Sequence, residues 1–125
     1  MKRDRVLVIE DHQDTRELLG MVLSRAGFAV KGVGTLQEAR SEILAEQYDL
    51  YILDSCFPDG SGVDFCREIC ARDTQTPAVI YSGQDHPEDQ EAGFDAGANA
   101  YLVKPAEVAV LIQTLHGLLR RGASA

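Results

Sequence analysis

Five short apolar runs alternate with stretches of helical period, and that alternation predicts an α/β fold: a doubly wound, five-stranded parallel sheet covered by helices on both faces. Two further observations agree. Four of the runs are largely apolar and rich in branched or aromatic residues rather than alternating with polar ones, as strands buried on both faces must be. Each run is also separated from the next by enough chain for the right-handed crossover that parallel neighbours need.

The elements follow in order. Arg5–Ile9 (RVLVI, β1) is a buried strand. After it Leu18, Leu19, Val22, Leu23 and Ala26 repeat at three and four; Asp14 with Glu17 reads as the start of this helix and Gly27 as its stop. Phe28–Val33 (β2) holds Lys31 and two small residues, which suits a place nearer the sheet edge. Thr35 with Glu38 forms a capping box ahead of Ala39, Ile43 and Leu44. Leu50–Leu53 (β3) is a third strand, and Pro58-Asp59-Gly60 beyond it a strong turn signal. Ser61 can cap a third helix with Phe65, Cys66, Ile69 and Cys70 on its apolar side. Ala78–Tyr81 (β4) precedes a helix (α4) that begins near Pro87 and ends before Gly97. Ala100–Val103 (β5) precedes a helix (α5) carrying Val108, Leu111, Ile112, Leu115 and Leu118.

Composition narrows the classes. The chain has 125 residues, 45% of them hydrophobic, enough for one core, so residues 1–125 are expected to form a single domain. Its formal net charge of −8 argues against a nucleic-acid partner, since binding a phosphate backbone needs clustered Lys and Arg. No apolar stretch can span a bilayer, and the start, MKRDRVLVIEDH, reads as a strand rather than a signal peptide. No membrane association and a cytoplasmic protein are expected. Cys56, Cys66 and Cys70 lack the paired spacing of a zinc site. Cys66 and Cys70 are one turn apart on an apolar face, where a reduced cysteine packs as a small hydrophobe, whereas Cys56 lies just after Asp54.

Chemistry concentrates at the strand ends. Glu10 and Asp11 follow β1, Asp54 follows β3, Ser82 follows β4 and Lys104 follows β5, and open sheets of this class bind ligands outside the carboxyl ends of their strands. Taken singly, Asp11 reads as a helix cap, Asp54 as a turn residue, Lys104 as a surface lysine and Ser82 as a loop hydroxyl. Together they are far more specific. Three converging carboxylates repel one another unless a pKa rises or a cation intervenes, and a hard divalent cation with oxygen ligands is the better remedy. Such sites commonly include phosphate oxygens. Asp54 could then act as a nucleophile, with Lys104 neutralising charge, Ser82 donating its hydroxyl, and Gly83 allowing close approach.

These motifs, with Asp54-Ser55-Cys56-Phe57-Pro58, Ser82-Gly83 and Lys104-Pro105 after Gly97-Ala98-Asn99-Ala100-Tyr101, resemble a response-regulator receiver domain of bacterial two-component signalling, the family that includes the chemotaxis regulator. The resemblance implies a flavodoxin-like (βα)5 fold with sheet order 2-1-3-4-5. It implies that Asp54 accepts a phosphoryl group from a sensor histidine kinase or a histidine phosphotransfer protein, catalysing only its own phosphorylation and dephosphorylation. Mg2+ would be held by Glu10, Asp11, Asp54 and the backbone carbonyl of Cys56. Lys104 would pair with the phosphoryl oxygens, and Ser82 would move to bond them. Tyr101 would follow Ser82 inward as an aromatic switch, Lys104-Pro105 would be cis, and an unknown output partner would read the α4–β5–α5 face.

Other readings stay open beside this one. Glu10 stands where many members have aspartate, and neither Cys56 nor Gln84 can order an attacking water by charge. His12, His86 and His116 are expected at the surface. A flavin protein would not place Glu10-Asp11-His12-Gln13-Asp14 against a phosphate, and a haloacid-dehalogenase-type phosphatase would have aspartate where Cys56 stands. A pseudo-receiver that is never phosphorylated would be a pure interaction module. The ending Arg120-Arg121-Gly122-Ala123-Ser124-Ala125 suits either a stand-alone regulator or the beginning of a linker.

Overall fold

The computed structural model describes residues 3–106 and 108–123; Ser124 and Ala125 of the expected tail, and so the far end of the expected domain, lie outside them. The order is β1 (Arg5–Ile9), α1 (Gln13–Arg25), β2 (Ala29–Val33), α2 (Leu36–Ala45), β3 (Leu50–Leu53), α3 (Gly62–Arg72), β4 (Ala78–Ser82), α4 (Pro87–Asp95), β5 (Ala100–Val103) and α5 (Val108–Ala123). All pairings in the main sheet are parallel, and its order is β2-β1-β3-β4-β5. This is the flavodoxin-like arrangement, with β1 inside and β2 at the edge.

Side-chain alternation along the strands divides the core in two. Leu7, Ile9, Leu53 and Ile80 face one side, where Ala39, Phe65, Cys66 and Tyr101 cover them. Val6, Val8, Ile52 and Val79 face the other, against Leu19 and Leu23 of α1 and Leu111 and Leu115 of α5. Because both faces are covered, the central strands contain no solvent-facing positions, and their uniform apolarity follows. Edge strand β2 has only Val33 buried, while Lys31 and Gly32 are exposed.

Helix ends depart from expectation at one point. His12, not Asp14, is the N-cap of α1: its ring Nδ1 accepts from the Thr15 backbone N–H at 3.4 Å and lies 3.0 Å from the Thr15 hydroxyl. The helix thus begins two residues nearer the end of β1, and His12 has a structural role at the surface. Thr35 and Ser61 cap α2 and α3 as expected. Gly27 ends α1 with φ 102°, a left-handed conformation that glycine adopts without Cβ strain. Three residues assigned to apolar stripes are instead largely in solvent: Leu18 (53% exposed), Leu44 (66%) and Val108 (46%). Each lies at the margin of its helical stripe, where a wide apolar face outruns the surface available to bury it.

The Pro58-Asp59-Gly60 turn is part of a small feature that no periodicity reveals. Cys56–Phe57 pairs antiparallel with Gly60–Ser61, and the Asp59 carboxylate accepts from the backbone N–H groups of Leu36 and Gln37. Asp59 thereby satisfies the open amides of α2 from outside that helix, and these bonds hold its carboxyl below the usual range. Past the hairpin, the Gly62 amide donates to Ser55 O at 2.8 Å. A Cβ on Gly62 would lie 1.9 Å from the carbonyl oxygen of Asp54.

Gly62→Ala is therefore expected to lower stability in denaturant unfolding by at least about 2 kcal/mol, because the Asp54 backbone would have to move. Gly117→Ala in α5, where an added Cβ meets nothing within 4 Å, is the matched control. It should raise stability by about 0.5–1 kcal/mol.

Candidate functional site

The hydrogen-bond ladder of the sheet runs one residue past the strands and into the site. The amide of Glu10 donates to Val33 O at 3.0 Å, that of Asp54 to Ile9 O at 3.2 Å, and that of Lys104 to Ser82 O at 2.8 Å. Each site residue is fixed in backbone position by a neighbouring strand. Residues separated by up to 94 positions in sequence therefore meet at one edge.

Their side chains form a charged cluster centred on Lys104. Its Nζ donates to Glu10 Oε1 at 2.5 Å and to Asp54 Oδ2 at 2.9 Å. Glu10 is 2% exposed despite its charge, and its second oxygen accepts from the His12 amide at 3.1 Å. Asp54 Oδ1 accepts from the Ser55 amide at 2.6 Å. Asp11 is exposed, and carboxylate oxygens of Glu10, Asp11 and Asp54 lie within 4.8 Å of one another.

Electrostatics explain the pairing. Burial pushes the Glu10 carboxyl above its ordinary pKa, while its bond to Lys104, the His12 amide and the lysine charge pull the other way and the Asp54 charge adds to the rise. Burial alone would depress the Lys104 ammonium. Its bonds to Glu10 and Asp54 and their charges outweigh that and hold it above its ordinary value. One cation thus pairs with two of three carboxylates and offsets only one of their charges. The remaining acidity, with oxygen donors from both strand ends and an exposed side, matches the ligand chemistry of a hard divalent cation.

Ser82 and Tyr101 lie beside this cluster. Ser82 is buried; its Oγ lies 2.5 Å from Ser55 Oγ and accepts from the Gln84 amide at 3.1 Å. Tyr101 is buried as well, its hydroxyl donating to Gln84 O at 2.8 Å. In this conformation the Tyr101 ring is already inside and the Ser82 hydroxyl is engaged by Ser55. Gly93 explains how the ring fits, because a Cβ there would come within 2.9 Å of the Tyr101 ring and 3.0 Å of Ile80.

Cys56 is exposed, and its Sγ accepts from Gln84 Nε2 at 3.4 Å, so these two residues meet at the mouth of the site. Cys66 is fully buried and Cys70 half-buried, with their sulfurs 3.8 Å apart, and burial pushes the Cys66 thiol up to about 12. Packing, as expected, is what these two do. Lys104-Pro105 is a cis peptide.

Sequence reasoning missed several contributors. Ser55 holds both Asp54 and Ser82, and Arg16 of α1 donates to Glu10 O at 2.7 Å and to Asp11 O at 3.4 Å. Gly32 and Gly34 leave the room Arg16 occupies: Cβ atoms there would meet its side chain at 3.0 and 2.9 Å. Glycines inside helical or strand patterns signal close approach, so Gly32, Gly62 and Gly93 were readable clues.

Comparison with known proteins agrees with this geometry. The response regulator receiver domain family matches residues 6–116. The response regulator ArlR of Staphylococcus epidermidis is 32% identical over 116 residues, covering 93% of this chain and 52% of that protein. The Sinorhizobium fredii protein y4xI, named a probable transcriptional regulatory protein, is 38% identical over 117 residues, covering 94% and 51%. The chain thus spans about half the length of the curated relatives it matches. Among solved structures, a two-component response regulator from Clostridium difficile superimposes with a TM-score of 0.91 at 25% identity, over 95% of this chain and 98% of that one.

Lys104→Ala leaves two inward-facing carboxylates without their cation. It should cost about 2–4 kcal/mol near neutral pH. An acid whose folded pKa is raised contributes most when protonated, below its ordinary value of 4.5, and that contribution fades as pH rises through the folded value. Removing Lys104 raises the Glu10 value further, so the penalty measured by urea unfolding should be smaller at about pH 5 than at about pH 8.

Proposed function

The chain belongs to the response regulator receiver family, and from that footing we propose that it is a phosphorylatable switch in a two-component relay. The observation that carries this is the charge arrangement: Asp54 at the end of β3, its oxygen bonded to Lys104, with Glu10 and Asp11 alongside. In this reading an oxygen of Asp54 attacks the phosphorus of a phosphohistidine on a sensor kinase or histidine phosphotransfer protein. The phosphorus–nitrogen bond breaks, and the donor imidazole leaves as its neutral form after taking a proton. The receiver promotes only its own phosphorylation and the later loss of the group to water.

Glu10, Asp11, Asp54 and the backbone carbonyl of Cys56 would hold Mg2+. When bound, the ion supplies positive charge against the carboxylates and the incoming phosphoryl oxygens. Lys104 turns its ammonium from Glu10 towards a phosphoryl oxygen, a charge-assisted bond. Ser82 leaves Ser55 to donate a second. Ser55 N–H and the Asp54 ladder bond keep the acceptor oriented meanwhile.

Phosphorylation adds about −1.5 to −2 charges and three acceptor oxygens at one point. Its effect reaches the α4–β5–α5 face, where Phe94 and Val110 are exposed and an output partner would dock. Residues 1–125 would act as one such module, in the cytoplasm where its kinase keeps its catalytic part. Among the described residues no helix is long and apolar enough to cross a membrane.

Incubating the protein with Mg2+ and acetyl phosphate and weighing it intact tests the proposal. The wild type should gain one phosphoryl group and Asp54→Asn none. A wild type that stays unmodified sinks the reading and leaves a pure interaction module; modification retained in Asp54→Asn moves the acceptor elsewhere. Ser82→Ala should still be phosphorylated, within about ten-fold of the wild-type rate, yet show a smaller chemical-shift response at α4 and β5 by NMR.

A further inference from the structure

Tyr81, immediately before Ser82, faces the opposite side of the sheet from Tyr101 and is partly buried against the core cluster of that face. It nevertheless touches the site edge twice. The Lys104 ammonium lies 5.5 Å from the centre of its ring, within the distance of about 6 Å at which the negative face of a ring attracts a cation. Its hydroxyl accepts from the backbone N–H of Ala106 at 3.3 Å. Lys104 and Ala106 flank Pro105, so a single side chain grips this loop on both sides, just before α5 begins at Val108.

Core packing alone does not ask for tyrosine here. The neighbouring positions on that face of the sheet are filled by Val6, Val8, Leu50, Ile52 and Val79, and an aliphatic residue would fill this one. What tyrosine adds is the ring face under the ammonium and the acceptor for Ala106. Among the described residues, Lys104 otherwise has only the two carboxylates to hold its head group, and both are groups whose charge balance the proposed reaction changes. The Tyr81 ring is a partner that stays constant.

We propose that Tyr81 is a positioning residue for Lys104. Its ring keeps the ammonium directed along the acidic edge, and its hydroxyl ties the same loop to the start of α5. A shift of Lys104 towards a phosphoryl oxygen is then felt at α5 through this loop, separately from Ser82 and Tyr101. The inference rests on the reading of Asp54 as phosphoacceptor and goes beyond it by adding a residue and a second route to the output face.

The test titrates beryllofluoride, a phosphoryl mimic, at saturating Mg2+, and separately Mg2+ alone, following both by NMR. Tyr81→Leu should weaken beryllofluoride binding about five-fold while Mg2+ affinity does not fall by more than about two-fold, because Lys104 competes with the metal for Glu10 and Asp54 rather than helping to hold it. Tyr81→Phe keeps the ring, so it should bind beryllofluoride within about two-fold of wild type yet speed amide exchange at Ala106 about ten-fold. Equal falls in both affinities would mark a merely structural residue and overturn the inference. So would wild-type beryllofluoride affinity in Tyr81→Leu, or unchanged Ala106 exchange in Tyr81→Phe. If the leucine variant does not fold, Tyr81→Met, which fills the same space without a ring, decides by the same criteria. A wild type that binds no beryllofluoride removes the phosphoacceptor reading and this inference with it; a wild type that binds while Tyr81→Leu matches it removes this inference alone.

Discussion

Three carboxylates gathered at one sheet edge, with one lysine to offset them, set the terms for the rest of the molecule. Like charges within 4.8 Å of one another persist only because the backbone gives them no choice. The strand ladder places Glu10, Asp54 and Lys104 through their amides, and the buried strands behind them commit the whole hydrophobic core to that register. Slipping one strand by a residue would turn its core side chains to the wrong face. The stability of the fold thus underwrites an arrangement that its own electrostatics oppose. Lys104 relieves part of that opposition, and the Ser55 and His12 amides relieve more by donating to the carboxylates.

That same constraint explains what could be read from the chain and what could not. Buried parallel strands have no solvent side, so β1, β3, β4 and β5 are legible as unbroken apolar runs, and the chemical residues stand out as the polar positions that end them. Edge strand β2 is less legible because it needs few apolar residues. The Cys56–Phe57 and Gly60–Ser61 pairing has no period to detect, since two residues make no pattern. Ser55 went unnoticed because a loop serine looks ordinary until its hydroxyl is seen against Ser82. The N-cap of α1 was misplaced because aspartate and glutamate three apart imitate a start signal, whereas the backbone ends β1 at Ile9 and turns at His12. Arg16 was invisible as well. Its partners are backbone carbonyls, and the only trace it leaves in sequence is the pair of glycines, Gly32 and Gly34, that make way for it.

The two faces of the sheet carry different kinds of connection away from the site. On one, Ser82 and Tyr101 meet through the loop at Gln84: the Ser82 oxygen accepts from its amide, and the Tyr101 hydroxyl donates to its carbonyl. On the other, Tyr81 spans Lys104 and Ala106. Both chains of contact start within two residues of each other in β4 and end at elements of the α4–β5–α5 face. A strand whose alternate residues feed opposite layers is a compact way to distribute one local event to two helices.

Magnitudes bound how far a single exchange could move such a switch. If Ser82 traded its neutral partner Ser55 for a charged phosphoryl oxygen, the gain would be the difference between a charged and a neutral hydrogen bond, about 1 kcal/mol. Moving a two-state equilibrium from 1:99 to 99:1 requires about 5.5 kcal/mol. The serine alone therefore shifts populations several-fold and no more. Lys104 would face a closer contest, since it would have to leave a carboxylate to meet a phosphoryl oxygen, exchanging one charged bond for another. With Tyr101 already inside and Gly93 leaving it room, the aromatic ring has no large burial free energy left to release. A response built from these parts would be a sum of small biases that holds both conformations within reach, and under the proposed reading a partner on α4, β5 and α5 would weigh on the balance as well as Asp54.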